Sequence, residues 1–267
     1  MENTKVIIKN EGDLKKFLAT NYMAQIKNFF DSEKQALKFL SSVMSAVQRL
    51  PDLLECEQVS LINSFMTMAQ LGLMPSDVSG EAYVLPYKNK DGIKIAQFQL
   101  GYQGLVTLFY RAGGQSIRSE IVREHDQFEY VNGILKHTVD IFKSREKRGK
   151  AIGAYAIATI NDNEIASVMN SEDILSFGKK FSKSFDSKFT PWNETNDPEL
   201  WMWKKTVLKQ LGKLLPKNET INRAIAEDNR DSIISDRLDK AKKEGISLTM
   251  GAALKELPES TEEKSNQ

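Results

Sequence analysis

Apolar residues recur at helical spacing through the first third of the chain and at alternate positions through its middle, and this change of period divides the molecule. Over residues 14–30, 33–49 and 57–71 the spacing predicts three amphipathic helices. Ser32-x-x-Gln35 supplies a capping box for the second, and Gly72 followed by Pro75 ends the third. Leu37, Leu40, Met44 and Val47 form one expected core stripe, and Ile62, Phe65, Met66 and Ala69 another. The period then shortens. Residues 81–87 and 93–100 read as strands around an Asp91-Gly92 turn, and the second strand runs directly into a helix opening at Gly101-Tyr102-Gln103-Gly104.

On that helix Tyr102, Leu105, Val106, Leu108, Phe109 and Ala112 share an apolar arc, which leaves Gln103, Thr107, Tyr110 and Arg111 on the other. Unpaired N–H groups at a helix start favour an anion, and glycines permit close approach, so the junction reads as a phosphate-handling surface or simply as a turn. Residues 116–123, 128–131 and 150–160 follow as strands, then a strand around 164–169 and a helix from Ser171 whose first turn carries Glu172 and Asp173. At least five strands in a mainly antiparallel arrangement are expected. A long helix over 199–215 turns Leu200, Trp203, Val207, Leu211 and Leu214 inward and Lys205, Lys209 and Lys213 outward as a basic rail, with Lys204 nearer the apolar side. Two short polar helices, 219–229 and 232–244, precede a tail with little to bury.

The expected class is therefore α+β: a helical N-terminal part, a mainly antiparallel sheet core and a helical C-terminal appendage. Residues 1–217 are expected to form the core, 218–244 a partner-binding helical region and 245–267 a flexible acidic tail.

Composition narrows the chemistry. With 267 residues, 40% hydrophobic and 27% charged, the chain can bury a sizeable core. It shows neither a signal peptide nor an apolar run of membrane-spanning length, so a soluble cytoplasmic protein is expected, with no membrane partner. One cysteine, Cys56, excludes an internal disulfide, and two histidines leave no Cys/His zinc site; no metal or cofactor is expected. The net charge of +1 conceals sorting along the chain. Residues 179–217 hold nine lysines against four acids, a local +5, whereas residues 219–267 hold eight basic and eleven acidic residues, a local −3.

The basic block interleaves Lys179, Lys180, Lys183 and Lys188 with Phe177, Phe181, Phe185, Phe189 and Trp192, a mixture matched to the phosphates and stackable bases of single-stranded nucleic acid. Docking of these rings on the core is the alternative. A second basic loop holds Lys143, Arg145, Lys147, Arg148 and Lys150 against Glu146. No phosphate-binding Walker loop and no G-x-S-x-G elbow is present. A metal-dependent nuclease would rest on Pro51-Asp52 and Asp186-Ser187-Lys188, whose context is poor for adjacent metal-binding carboxylates. A structural oligomer whose basic face binds an acidic protein is a third reading.

GEAYVLPY, QFQLGYQGLVTLFYRAGG, KKFSKSF and MWKKTVLKQLGKLLP, in this order and spacing, resemble the phage RecT family of single-strand annealing proteins over about residues 30–217. The resemblance implies a core with a strand-strand-strand-helix unit and an ATP-independent, non-catalytic recombinase. Such a protein coats single-stranded DNA, pairs it into an annealed duplex and assembles as a homo-oligomeric ring or helical filament. It also implies a 5′ to 3′ exonuclease and the host single-strand-binding protein as partners. By position the DNA-binding residues would include Tyr102, Gln103, where the family has lysine, and Arg111. The lysine-rich loop adds Lys179, Lys180, Ser182 and Lys183, followed by Trp192, Lys204 and Lys205. The residue reading adds Thr107, Tyr110, Lys188 and Lys209. An amide at Gln103 can still donate to a phosphate oxygen.

Overall fold

The computed structural model describes residues 8–75, 79–89, 91–182, 184–215 and 219–229. Helices α1 (Glu11–Asn21), α2 (Met23–Asn28), α3 (Glu33–Arg49) and α4 (Gln58–Gln70) form the N-terminal part, with a tight 3₁₀ turn at Pro51–Glu55. The helix expected over 14–30 is broken at Tyr22, whose N–H closes on Leu18 O before α2 begins. Ser32 caps α3 as expected, accepting from Gln35 N at 3.3 Å, but the Gln35 amide returns to Asp31 N instead of to Ser32. Such a cap contributes about 1 kcal/mol. The buried face of α3 is Ala36, Phe39, Leu40, Val43, Met44 and Val47, so Leu37, 51% exposed, lies off the stripe expected for it.

Strands β1 (Ala82–Lys88) and β2 (Lys94–Leu100) pair antiparallel, and α5 (Tyr102–Arg111) follows. Then come β3 (Ser116–Arg123), β4 (Gln127–Val131), β5 (Ile134–Thr138), a single turn α6 (Arg145–Arg148), β6 (Ala151–Ile160), β7 (Asn163–Asn170), α7 (Ser171–Phe181) and α8 (Trp201–Leu214). β3, β6 and β7 form one antiparallel sheet in the order β3-β6-β7, and α7 leaves its last strand, which gives the strand-strand-strand-helix unit. β4 and β5 are an inserted hairpin. β5 had no strong apolar alternation to announce it, yet the Asn132-Gly133 turn at its start, with φ of 52° and 83°, is a hairpin signal.

The register assigns the two faces of this sheet. Ile117, Ser119 and Ile121 align with Ala158, Ala156 and Ala154, and these in turn with Ile165, Ser167 and Met169. The three alanines are buried in the main core, which α8 and α7 complete. On the opposite face Val122, Tyr155 and Ile157 make a small second core beneath Phe128 and Leu135 of the inserted hairpin. Residues 219–229 are helical. Ile221, Ala224 and Ile225 belong to the main core, so the first compact unit runs past position 217 to Ile225. The second unit begins at Ala226; the helix expected over 232–244 and the tail 245–267 lie outside the described residues.

A buried polar knot ties the hairpin to the sheet. Asp126, its side chain 1% exposed, accepts from Arg148 Nε at 2.8 Å, from Arg123 N at 2.9 Å and from His137 Nε2 at 3.2 Å. His137 Nδ1 lies 3.3 Å from the Tyr155 hydroxyl. Burial alone would raise the Asp126 carboxyl, but Arg148, the Arg123 N–H and His137 outweigh it and hold the group at about 2.

A depressed carboxylate contributes stability above its unfolded value, and that stability disappears as pH falls through the folded value. Unfolding midpoints measured from pH 7 downward are therefore expected to drop between about pH 4 and pH 2, with Asp126 accounting for on the order of 2 kcal/mol. Asp126→Asn should lower stability at pH 7 and flatten the curve in that window. A mutant curve parallel to the wild type there would contradict the assignment.

Candidate nucleic-acid interface

The glycines that open α5 serve packing. A Cβ at Gly101 would stand 1.9 Å from Gly80 O, and one at Gly104 would stand 2.1 Å from Glu81 O. Gly101 N also donates to Glu81 O at 2.8 Å, so the chain before β1 packs directly against the helix start. The polar arc of α5 is used in the same way. Thr107 Oγ1 donates to the Glu81 carboxylate at 3.3 Å, and that carboxylate accepts Met74 N at 3.0 Å. Arg111 Nη1 donates to Gly72 O at 2.9 Å and to Leu71 O at 3.4 Å, satisfying carbonyls at the end of α4. Gln103 and Tyr110 remain exposed.

The aromatic and lysine stretch divides between core and surface. Phe177 and Phe185 pack on the core, and Trp192, 3% exposed, is buried beneath Gly178, where an added Cβ would meet the indole at 2.6 Å. Trp192 is therefore a packing residue, not a platform in a groove. Phe181 and Phe189 face solvent instead, each with a lysine over its ring: Lys180 at 5.1 Å and Lys188 at 5.6 Å. Lys179 and Lys180 are exposed on the last turn of α7, Ser182 caps that helix, and Lys183 lies outside the described residues.

The intervening segment builds the start of α8. Asn196 Nδ2 donates to the carbonyls of Lys188 and Thr190 at 3.1 and 3.0 Å, and the Asp197 carboxylate accepts Trp201 N at 2.7 Å, capping the helix.

The basic rail on α8 is not a continuous surface. Lys205 is half-buried, Lys209 is 7% exposed and Lys213 is exposed. Gly212, three residues beyond Lys209 and on its side of the helix, lies against Ile221 and Ile225, so these two side chains cover part of the face expected to be open. Leu214, expected inside, is exposed. Lys204 is mostly buried, and burial draws its ammonium below the ordinary lysine value against the opposing pull of Glu120.

What the fold assembles at this end of α8 is a different group. The Trp201 and Tyr102 rings meet edge to face with centroids 5.0 Å apart, and Lys204 Nζ sits 4.7 Å from the Trp201 ring centre. Tyr102 Oη accepts from Ser119 Oγ at 3.3 Å. Glu199 bridges Lys204, at 3.4 Å, and Arg145 of α6. The basic loop around α6 is thus partly committed, Arg145 to Glu199 and Arg148 to Asp126, while Lys143, Lys147 and Lys150 are exposed. Trp201 was hidden in the sequence by its neighbour Trp203, which takes the inward position.

The carboxylates of the nuclease reading stand in unsuitable places. Asp52 lies in the 3₁₀ turn, 3.7 Å from Lys94, and Asp186 in an exposed loop. Among the described residues no group of three His, Cys, Asp or Glu could hold a metal ion, and no helix is long and apolar enough to cross a membrane.

The RecT family model matches residues 37–244. Over 212 residues the chain is 27% identical to protein RecT of Escherichia coli K12, an alignment that covers 77% of this chain and 76% of that protein. Over 176 residues it is 28% identical to the uncharacterized protein YqaK of Bacillus subtilis 168, covering 66% and 58% respectively.

Because Lys209 is enclosed, Lys209→Glu is expected to destabilise the fold by 2 kcal/mol or more, on the order of other disrupted buried charges. Thermal unfolding should show the loss before any DNA is added. Lys179→Glu, on an exposed turn, should leave the midpoint within about 0.5 kcal/mol of wild type. Equal midpoints for the two variants would mean that the Lys209 side opens in solution.

Proposed function

Since the chain belongs to the RecT family, with the match spanning residues 37–244, we propose that it is an ATP-independent single-strand DNA-annealing protein of homologous recombination. The family match carries this reading, and the surface chemistry supports it. An annealer must hold phosphates while leaving the pairing edges of the bases free, so lysines, amides and exposed rings suit it and a base-reading pocket would obstruct it. Lys179, Lys180 and Lys188, with the rings of Phe181 and Phe189, supply this mixture on one stretch of chain. Gln103, Tyr110, Lys183, Lys204 and Lys205 complete the proposed contact set. Tyr102 contributes through its ring, whereas Trp192, Lys209, Thr107, Arg111 and Ser182 act by holding the fold.

A protomer of net charge +1 cannot by itself make a long cationic track. In this proposal protomers join as a ring or helical filament, so that local basic stretches line up into a groove for both strands. In this proposal the C-terminal region beyond Ile225 recruits partners, a 5′ to 3′ exonuclease and the host single-strand-binding protein, and the protein works in the cytoplasm. No step of annealing breaks a covalent bond, so no catalytic residue and no cofactor is required.

Mixing complementary labelled strands with the protein and no nucleotide should yield duplex. Binding of a single strand should weaken with salt by roughly 0.7 log units per log unit for each phosphate neutralised. Lys179→Glu with Lys180→Glu should reduce both binding and annealing while preserving the fold. Strand shortening in Mg²⁺ would support the nuclease instead, and a flat salt titration would count against a phosphate-binding surface.

A further inference from the structure

Among the three tryptophans, two are explained by packing. Trp192 and Trp203 are 3% and 5% exposed, and Trp203 Nε1 donates to Trp192 O at 3.1 Å. Trp201 is 44% exposed, although it opens a helix whose middle, from Thr206 to Lys209, is buried. Core packing does not account for a large ring left this open, yet the ring is not loose. Tyr102 braces it edge to face, and the Lys204 ammonium lies close to it.

Beside this ring sits an anion held by two cations. The Glu199 carboxylate bridges Lys204 and Arg145, which come from α8 and α6. A flat ring next to a two-cation anion site is the pairing a nucleotide offers in reverse: a base to stack and a phosphate to neutralise. Arg145 can exchange one oxyanion for another without rebuilding the core, because the Arg145 and Glu199 side chains are each about half exposed, and Lys204, 13% exposed, already directs its ammonium at the same carboxylate.

Building on the annealing reading, we infer that Trp201 is a stacking platform for one nucleobase of a bound single strand, and that Arg145 and Lys204 take the adjoining phosphate in exchange for Glu199. Glu199 then acts as an internal competitor. It keeps the two cations in place in the free protein and opposes binding until a phosphate displaces it. The stacking contact is indifferent to base identity, which an annealer needs, and leaves the pairing edge of the stacked base uncovered.

The burial pattern makes the test direct. Trp201 is the exposed tryptophan, so base stacking should quench its emission while leaving that of Trp192 and Trp203. The full-length protein is titrated with oligothymidylate and with an abasic oligonucleotide of equal length, following tryptophan emission and, in parallel, the anisotropy of a dye on the strand. Thymidylate should quench and the abasic strand should not. Trp201→Phe should lose the quench but hold its affinity within about twofold, whereas Trp201→Ala should bind thymidylate roughly tenfold more weakly and the abasic strand unchanged. Glu199→Gln should tighten both strands several-fold.

Saturable anisotropy with no quench, or a Trp201→Ala protein that binds thymidylate like the wild type, overturns the stacking site and leaves the annealing reading standing. Unchanged affinity in Glu199→Gln overturns the exchange. No anisotropy change even in low salt removes the annealing reading and this site together.

Discussion

The close seating of α8 on the three-stranded sheet is the contact on which the rest depends. β6 presents Ala154, Ala156 and Ala158 on one face, and these methyl groups leave room for the helix to approach. Trp203, Val207 and Leu211 fill that space, while α5 closes one flank and Ile221 and Ile225 lie against Gly212 on another. A helix enclosed on several sides has little surface left, and what it exposes is concentrated near its two ends. The fate of each α8 lysine follows: Lys209 enclosed, Lys204 half-committed to Glu199 and Trp201, Lys205 half-buried, Lys213 outside.

A second constraint operates where β2 turns into α5. The backbone at Gly80 and Glu81 passes so near the helix that only glycine fits at positions 101 and 104. Thr107 and Arg111 extend the contact along the helix by binding Glu81 and the end of α4. Residues that look like a ligand site in isolation thus hold the hairpin, the helix and the N-terminal helices in one arrangement. That rigidity bears on the proposed stacking site, because Tyr102 at the head of α5 is the brace for Trp201.

The electrostatic character of the surface is one of managed cations. Lys180, Lys188 and Lys204 each lie over an aromatic ring, and Arg145, Arg148 and Arg123 are each paired with an acid. Pairing of this kind keeps a near-neutral protein from self-repulsion, while half-exposed pairs can still yield to a polyanion whose counterions are released on binding. Buried pairs such as Asp126 with Arg148 cannot, and they fasten the inserted hairpin instead.

The order and type of most elements were legible in the sequence, because apolar spacing is a local property that survives any packing: α3 begins and ends at the expected residues, and β3 does as well. The family was legible too, through four blocks in register. What local spacing could not give was the use of the polar side of each helix. Whether Lys209 faces solvent depends on Ile221 and Ile225, and whether Arg111 meets a phosphate or the carbonyls of Leu71 and Gly72 depends on a segment some forty positions earlier in the chain. The same holds for the paired tryptophans of α8, identical in type and two positions apart. Only the sheet beneath the helix decides that Trp203 is core and that Trp201 is surface, because burial is set by neighbours distant in the chain.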